Sequence, residues 1–223
     1  MSEKTEYHEQ SQFLSIWMNV IGVIFLRLDH LKDEITRFAS PGRIWLTILS
    51  AFGLYFIANA GVYFTLKELE PVHQMLLPTL IWTAIRVLVL SLLPFLLACW
   101  ASQRFLQGNW VLHYQGIATV MAARLLIVAV LSVFAEYPIN LFEFAGDRSV
   151  LSLFAVLLSY LTAIWFYAML YQALRISYQD VSIYRLTIAL MIIFVCLVIV
   201  PLLFQEFILG DTFWYDLAQS LVG

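Results

Sequence analysis

The chain has 223 residues, of which 62% are hydrophobic and only 12% are charged, and its net charge is −3. A soluble domain is about half apolar and about a quarter charged, so this composition and a mean hydropathy of +0.87 exclude an ordinary soluble globule. The chain has no basic tract, which argues against nucleic acid as a partner. The two cysteines, Cys99 and Cys196, form neither a disulfide framework nor a zinc pattern. The composition therefore predicts a polytopic membrane protein.

The N-terminal segment combines a polar start with an amphipathic stretch. Residues 1–12 are polar and we expect them to be disordered. Across residues 13–40, apolar residues recur in steps of four and three, which lines one face of a helix. This face consists of Trp17, Ile21, Ile24, Leu28, Leu31, Ile35 and Phe38. The charged residues, Glu34 among them, lie off this face, so the pattern predicts an amphipathic helix on the cytoplasmic membrane surface. Ser40, Pro41 and Gly42 end this helix before the first crossing.

Six residues of this helix are candidate contacts with the membrane surface or with a partner: Trp17, Ile24, Leu28, Leu31, Ile35 and Phe38. Two interpretations remain open for them, anchoring at the lipid headgroups and docking of a partner helix. A short amphipathic tail at residues 210–223 repeats the pattern on the outer side of the membrane.

Five apolar stretches are long enough to cross about 30 Å of hydrocarbon, which takes about 20 helical residues. Within a transmembrane domain of residues 41–209, they cover residues 44–66, 76–100, 115–137, 149–174 and 186–205. Arg86 and Arg124 interrupt the second and third stretches. A central arginine costs about 2.5–3.5 kcal/mol of insertion free energy, and each Leu, Ile, Val or Phe returns about 0.3–0.6 kcal/mol. Both stretches still favour insertion, so the predicted fold is an all-α bundle of five transmembrane helices.

The lysines and arginines of the loops predict the orientation. With the N-terminus inside, eight of these residues are cytoplasmic: Lys4, Arg27, Lys32, Arg37, Arg43, Arg104, Arg175 and Arg185. Only Lys67 and Arg148 are then outside. The positive-inside rule therefore places the N-terminus in the cytoplasm and, after five crossings, the C-terminus outside.

Arg86 and Arg124 are the candidate ligand-binding or lipid-binding residues, because a charge inside the membrane is a functional hypothesis by default. Side chains lean toward the N-terminus of their helix, so Arg86 is expected to reach toward outer acidic residues. Arg124 is expected to reach toward the cytoplasmic headgroups or Asp180. Structural pairing and a site for a lipid phosphate or a solute are the two alternatives.

The sequence offers no chemistry for an enzyme. It has no His-Glu-x-x-His pair, no Gly-x-Ser-x-Gly elbow and no Walker loop. The predicted spans contain no acidic residue in their interior, which disfavours proton coupling by a buried carboxylate. We therefore predict no catalytic residue, no metal site and no cofactor.

The chain resembles the bacterial members of the Yip1 family of membrane proteins. The resemblance lies in Ser15, Ile16 and Trp17 with the Ile24–Leu31 continuation, in the Gln107-Gly108-Asn109 loop, and in the five-span plan. It implies an inner-membrane protein without an assigned catalytic residue. The Asp-Leu-Tyr-Gly-Pro signature of the members linked to small GTPases is absent, so GTPase binding is not expected.

Two functions are consistent with these features. The first is a non-enzymatic adaptor or organiser that contacts membrane lipids and another membrane protein or a second copy of the chain. The alternative is a transporter or channel subunit that binds an anionic solute or lipid headgroup through Arg86 or Arg124.

Overall fold

The computed structural model describes residues 2–66, 80–81, 83–85, 87–142 and 148–207. Every regular element in these ranges is helical, which confirms the all-α class. The helices are α1 (Ser2–Ile24), α2 (Leu28–Thr36), α3 (Pro41–Leu66), α4 (Leu93–Leu106), α5 (Trp110–Phe142), α6 (Arg148–Ser177), α7 (Ile183–Phe194) and α8 (Val200–Phe207).

Four stretches of the described chain are long and apolar enough to cross a membrane, which suggests an integral membrane protein. They are Pro41–Ala58, Thr83–Leu106, Trp110–Leu131 and Ile183–Leu203. Each overlaps one of the predicted spans. The remaining predicted span, 149–174, lies within the 30-residue helix α6. The predicted outer tail, 210–223, lies outside the described residues.

The N-terminal segment forms two helices, where the sequence predicted one. Helices α1 and α2 pack against each other, and we call this pair the N-terminal hairpin. The turn between them is a Schellman motif, in which Arg27 N–H donates to the Gly22 carbonyl and Leu26 N–H donates to the Val23 carbonyl. Leu26 adopts the left-handed conformation, with φ of 59°. The prediction of a single continuous surface face was therefore wrong, because the turn redirects the chain.

Helix α1 also includes most of the polar segment, residues 1–12, that we expected to be disordered. It begins at Ser2, and its first turns are rich in glutamate, glutamine and lysine. These residues have high helix propensity. Starting a helix is costly because several residues must be ordered for the first hydrogen bond, whereas each added residue gains one hydrogen bond. A polar stretch can therefore extend a helix that is already packed.

Short polar motifs begin the helices that follow. The Ser40 hydroxyl accepts a hydrogen bond from Arg43 N–H, and Pro41 occupies the first position of α3. A serine N-cap followed by proline is a favoured helix start. Asn109 caps α5 in the same way by accepting a hydrogen bond from Val111 N–H.

Helix α5 lies at the centre of the described part of the molecule. It packs against α3, α6 and both helices of the N-terminal hairpin. Small residues permit this close contact. A Cβ atom added at Gly116 would lie 3.0 Å from Ile35 of α2 and 3.3 Å from Ala173 of α6. Ala118, Ala122 and Ala123 are fully buried on the same helix, as expected for close helix packing in a membrane.

A π-helical turn precedes each of two prolines, Pro94 in α4 and Pro201 in α8. Pro94 follows a π-helical turn at Leu88–Leu92, and Pro201 follows another at Val195–Ile199. Proline lacks the N–H that would bond the carbonyl four residues earlier, and its ring clashes with that carbonyl. A wider π-helical turn accommodates both effects. Helices α4 and α7 pack against each other. The first π-helical turn also contacts α8, and the second also contacts α4.

The substitution Gly108→Ala should destabilise the fold by about 1–3 kcal/mol, a typical cost of overpacking. A Cβ atom at this position would overlap the ring of Tyr178. Gly53→Ala is the matched control, because the space around Gly53 is open. In the interior of α3, alanine should stabilise by about 0.8–1 kcal/mol relative to glycine. Thermal unfolding in a mild detergent checks both values, and equal effects would contradict the packing of Gly108 against Tyr178.

Candidate functional site: a buried ion pair beneath the N-terminal hairpin

Glu34 of α2 is a buried carboxylate, with only 1% of its surface exposed. Arg43, in the first turn of α3, binds it in a bidentate manner. Arg43 Nε donates to Glu34 Oε1 at 2.5 Å, and Arg43 Nη2 donates to Oε2 at 2.7 Å. Planar guanidinium and carboxylate groups match each other in this geometry, which gives strong charge-assisted hydrogen bonds.

Two amide side chains complete the coordination of Glu34. Asn19 Nδ2 of α1 donates to Oε2 at 2.6 Å, and Gln115 Nε2 of α5 donates to Oε1 at 2.8 Å. Each carboxylate oxygen therefore accepts two hydrogen bonds. We call Glu34, Arg43, Asn19 and Gln115 the Glu34 cluster. It joins α1, α2, α3 and α5, so a single carboxylate holds the hairpin on the central helices.

A second ring of contacts surrounds the Glu34 cluster. Arg43 Nη2 also donates to the Ser15 hydroxyl at 3.1 Å, and the guanidinium lies over the ring of Phe38 at 4.9 Å. Asn19 Oδ1 lies 2.9 Å from His30 Nδ1. Because Asn19 uses its NH₂ on Glu34, its oxygen is the acceptor here and His30 Nδ1 carries the proton.

The arrangement favours anchoring over catalysis. The carboxylate oxygens already hold four donors, and Glu34 is closed to solvent. Among the side chains that the structure describes, no group of three or more His, Cys, Asp or Glu residues is placed to hold a metal ion. The clearest property of the cluster is therefore mechanical, because it fixes the position of the hairpin.

A second buried polar contact joins α4 and α5 near the Gly108 loop. His113 Nε2 lies 2.9 Å from the Ser102 hydroxyl, which itself donates to the Ala98 carbonyl. Ser102 therefore accepts the hydrogen bond from His113. The ring of Tyr178 packs edge-on against His113, with centroids 5.5 Å apart. Burial raises the pKa of Tyr178 to about 12.

The structure describes one of the two candidate arginines, Arg124. Arg86 lies outside the described residues. Arg124 lies on α5, partly buried, with its guanidinium 4.5 Å from the centroid of the Phe166 ring on α6. No ion pair joins it to Asp180 or to another acidic side chain that the structure describes. The predicted pairing with Asp180 is therefore wrong, and an aromatic ring occupies the face of the guanidinium instead.

The six candidate surface residues separate into three groups. Leu31 and Ile35 are fully buried, Trp17 and Ile24 are partly buried against the core, and Leu28 and Phe38 are exposed. They share no single face, because α1 and α2 are separate helices. The exposed apolar face of the hairpin lies instead on α1, at Leu14, Met18 and Ile21, and continues to Phe25 in the turn.

Sequence reasoning missed the Glu34 cluster. Glu34 belongs to a run of charged residues, which is usually a solvated helix face. One signal pointed to burial: Asn19 lies within an otherwise apolar stretch of α1. A buried amide needs hydrogen-bond partners, so Asn19 required polar groups from another helix.

Replacing Glu34 with glutamine should destabilise the protein by about 3–5 kcal/mol, since Arg43 would remain buried without a counter-charge. Asp33→Asn is the matched control. The Asp33–Arg37 pair has the same charges, but its side chains are 40% and 72% exposed. An exposed pair of this kind contributes about 0.3–0.5 kcal/mol.

Unfolding in mild detergent gives both values, and limited proteolysis within residues 2–40 reports release of the hairpin. The double variant Glu34→Leu, Arg43→Met should recover only part of the loss, because it removes both charges together but leaves the buried Asn19 and Gln115 amides without their acceptor. A Glu34→Gln protein as stable as Asp33→Asn would contradict the anchoring role of the cluster.

The raised pKa of Tyr178 predicts a loss of stability at high pH. Its pKa is about 12 in the fold and about 10 when unfolded, so its contribution is complete below pH 10 and is lost as the pH rises toward 12. Tyr178→Phe should reduce this loss without lowering stability at pH 7, since the structure describes no hydrogen-bond partner for the hydroxyl. Unfolding between pH 7 and pH 12 checks this, with exposed Tyr184→Phe as the control. Parallel curves for wild type and Tyr178→Phe would contradict it.

Comparison with known proteins adds no relative. No family model, no curated protein and no solved structure matches the chain. The resemblance to the Yip1 family therefore stays a prediction, made from residues 15–31, residues 107–109 and the arrangement of apolar stretches.

Proposed function

We propose that this protein is a non-enzymatic membrane adaptor or organiser of the Yip1 type, with five spans and its N-terminus in the cytoplasm. Helix α6 is the fourth span in this proposal, and a bacterial inner membrane is the location that the resemblance implies. The four apolar stretches long enough to cross a membrane support the integral location. The distribution of lysine and arginine supports the orientation.

The observation that supports the adaptor role is the outer face of α1. Helix α1 has two apolar faces. The inner one, formed by Ile16, Val20 and Val23, packs into the core. The outer one is exposed, with 64% of Leu14 and 60% of Met18 accessible.

The Glu34 cluster makes this outer face a suitable contact surface. It holds α1 in one orientation through Asn19 and Ser15. A preformed surface loses less conformational entropy on binding than a mobile one. Basic residues on the exposed side of the hairpin, Arg27 and Lys32, suit the anionic cytoplasmic leaflet. We therefore propose that α1 contacts an apolar helix of another membrane protein or of a second copy, with lipids around it.

A second candidate function is supported by Arg124. A transporter or channel subunit needs a polar site within the membrane. Arg124 lies within an apolar stretch that is long enough to span, and no described carboxylate pairs with it.

The adaptor proposal predicts a partner at the outer face of α1. A photo-reactive phenylalanine at position 18, in the full-length protein in its own membranes, should form protein adducts of discrete mass. The same group at position 32, exposed on α2, is the matched control and should form few. Leu14→Asn together with Ile21→Asn should weaken the position-18 adduct by tenfold or more, because each buried aliphatic side chain contributes about 1.5–3 kcal/mol.

Lipid adducts alone at position 18 would reject the adaptor role and leave membrane anchoring. Equal protein adducts at positions 18 and 32 would also reject it, because the contact would then lack a preferred face.

A further inference from the structure

The end of α4 and the start of α7 bring two arginines together at one end of the bundle. Arg185, in the first turn of α7, donates from Nη2 to the Phe105 carbonyl in the last turn of α4 at 3.2 Å. Its guanidinium carbon also lies 5.8 Å from the centroid of the Phe105 ring. Arg104 directly precedes Phe105, so standard backbone lengths put Nη2 of Arg185 within about 10 Å of the Arg104 Cα atom. The contacts with Phe105 therefore hold one guanidinium within reach of the other.

Most donors of these two guanidinium groups remain available. Arginine has five N–H donors, and the Phe105 carbonyl accepts from one nitrogen of Arg185. Arg104 and Arg185 are both exposed, and neither forms an ion pair with a described acidic side chain, Asp180 of the adjoining loop included. Two like charges held side by side repel each other unless an anion lies between them. This end of the α4 and α7 pair is therefore suited to bind an anion.

Both arginines lie at the level where a membrane has its phosphate groups. The apolar stretches Thr83–Leu106 and Ile183–Leu203 are each long enough to cross a membrane. Arg104 is two residues from the end of the first stretch, and Arg185 is two residues from the start of the second. Each arginine is thus within about 3 Å of the end of its stretch along the helix axis. Long basic side chains at such positions reach the lipid headgroups.

An exposed apolar face of α4 leads along the helix to Arg104. Leu93, Leu97 and Trp100 are all exposed, and their spacing of four and three places them on one side of the helix. Arg104 follows four residues after Trp100, on the same side. Such a face of a spanning helix contacts acyl chains, and tryptophan is typical of the headgroup boundary. A lipid whose chains lie along this face has its phosphate beside Arg104.

We propose that Arg104 and Arg185 bind the phosphate of an anionic phospholipid, whose acyl chains lie along the exposed face of α4. The planar guanidinium fork matches phosphate oxygens. Because Phe105 already holds Arg185 in place, binding orders fewer groups. Two cations without a described carboxylate favour an anionic headgroup over a zwitterionic one, which carries a positive amine of its own.

The site goes beyond the adaptor function, because it uses no residue of the N-terminal hairpin. The proposed orientation enters only in the choice of leaflet. With the N-terminus in the cytoplasm, the end of α4 and the start of α7 face the cytoplasmic leaflet, whose surface potential is negative.

The test is a lipid titration of the full-length protein, which is first delipidated in a neutral detergent and then followed by native mass spectrometry. Phosphatidylglycerol and phosphatidylcholine with the same acyl chains are compared. We expect wild type to bind phosphatidylglycerol about tenfold more tightly, because only this lipid has a net negative charge. A large excess of inorganic phosphate should not displace the lipid, since it lacks the acyl chains.

Substitutions assign the binding to the two arginines. Arg104→Gln should weaken phosphatidylglycerol binding by about tenfold, as expected for one charged hydrogen-bond donor. Arg104→Gln together with Arg185→Gln should abolish the preference for phosphatidylglycerol. Arg175→Gln is the matched control, because Arg175 is exposed in the last turn of α6 at the same end of the bundle. It removes an equal charge and should bind like wild type.

Equal affinity of wild type for the two lipids would overturn the proposal, and so would an equal loss of binding in Arg104→Gln and Arg175→Gln. Displacement by inorganic phosphate would reject a lipid as the occupant. If Arg185→Gln fails to fold because the end of α4 is released, Arg104→Gln alone decides the question, and unchanged binding in it contradicts the proposal. The adduct at position 18 tests the adaptor function separately, since it reports on α1.

Discussion

The ion pair between Glu34 and Arg43 is the contact on which the N-terminal part of this fold depends. Taking both charges out of water is expensive, and the structure offsets that cost with two amide donors from other helices. The hairpin therefore has one orientation on α5 in which all these groups are satisfied. A small rotation or slide of α2 would leave a charge buried without partners, so the cluster specifies a position as well as an attachment.

Arg43 and Arg124 show two ways in which an apolar bundle accommodates a cation. Arg43 lies at the start of α3, is paired with a carboxylate and is stacked on Phe38. Arg124 has an aromatic ring on its face and no described carboxylate at its edge. In the first arrangement the carboxylate of Glu34 neutralises the charge of Arg43, and this ion pair attaches the hairpin to α3. The second arrangement joins α5 to α6 through a contact between the cation and an aromatic ring.

The sequence predicted the features that depend on hydrophobicity and on helix-breaking residues. The apolar stretches and the helix break at Ser40–Gly42 are examples. It failed at the hairpin for a physical reason. A helix of this kind usually ends with glycine in the left-handed conformation, but here that residue is Leu26. Because no glycine marks the turn, the apolar spacing continues through it as in one helix. Glu34 then falls on the side of that helix predicted to face solvent. Arg124 could be predicted as a candidate, but Phe166 could not, because hydropathy does not identify neighbouring helices.

The π-helical turns before Pro94 and Pro201 give the molecule two mechanically different halves. Around α5, close packing at Gly116 and the Glu34 cluster make a stiff unit. One π-helical turn directly precedes α4 and the other lies between α7 and α8. Each of these backbones therefore has a stretch with a missing hydrogen bond, and α4 packs against α7. These helices can bend at low energetic cost. A change in bilayer thickness is therefore expected to bend the chain at these two turns, while the Glu34 cluster keeps the hairpin in place.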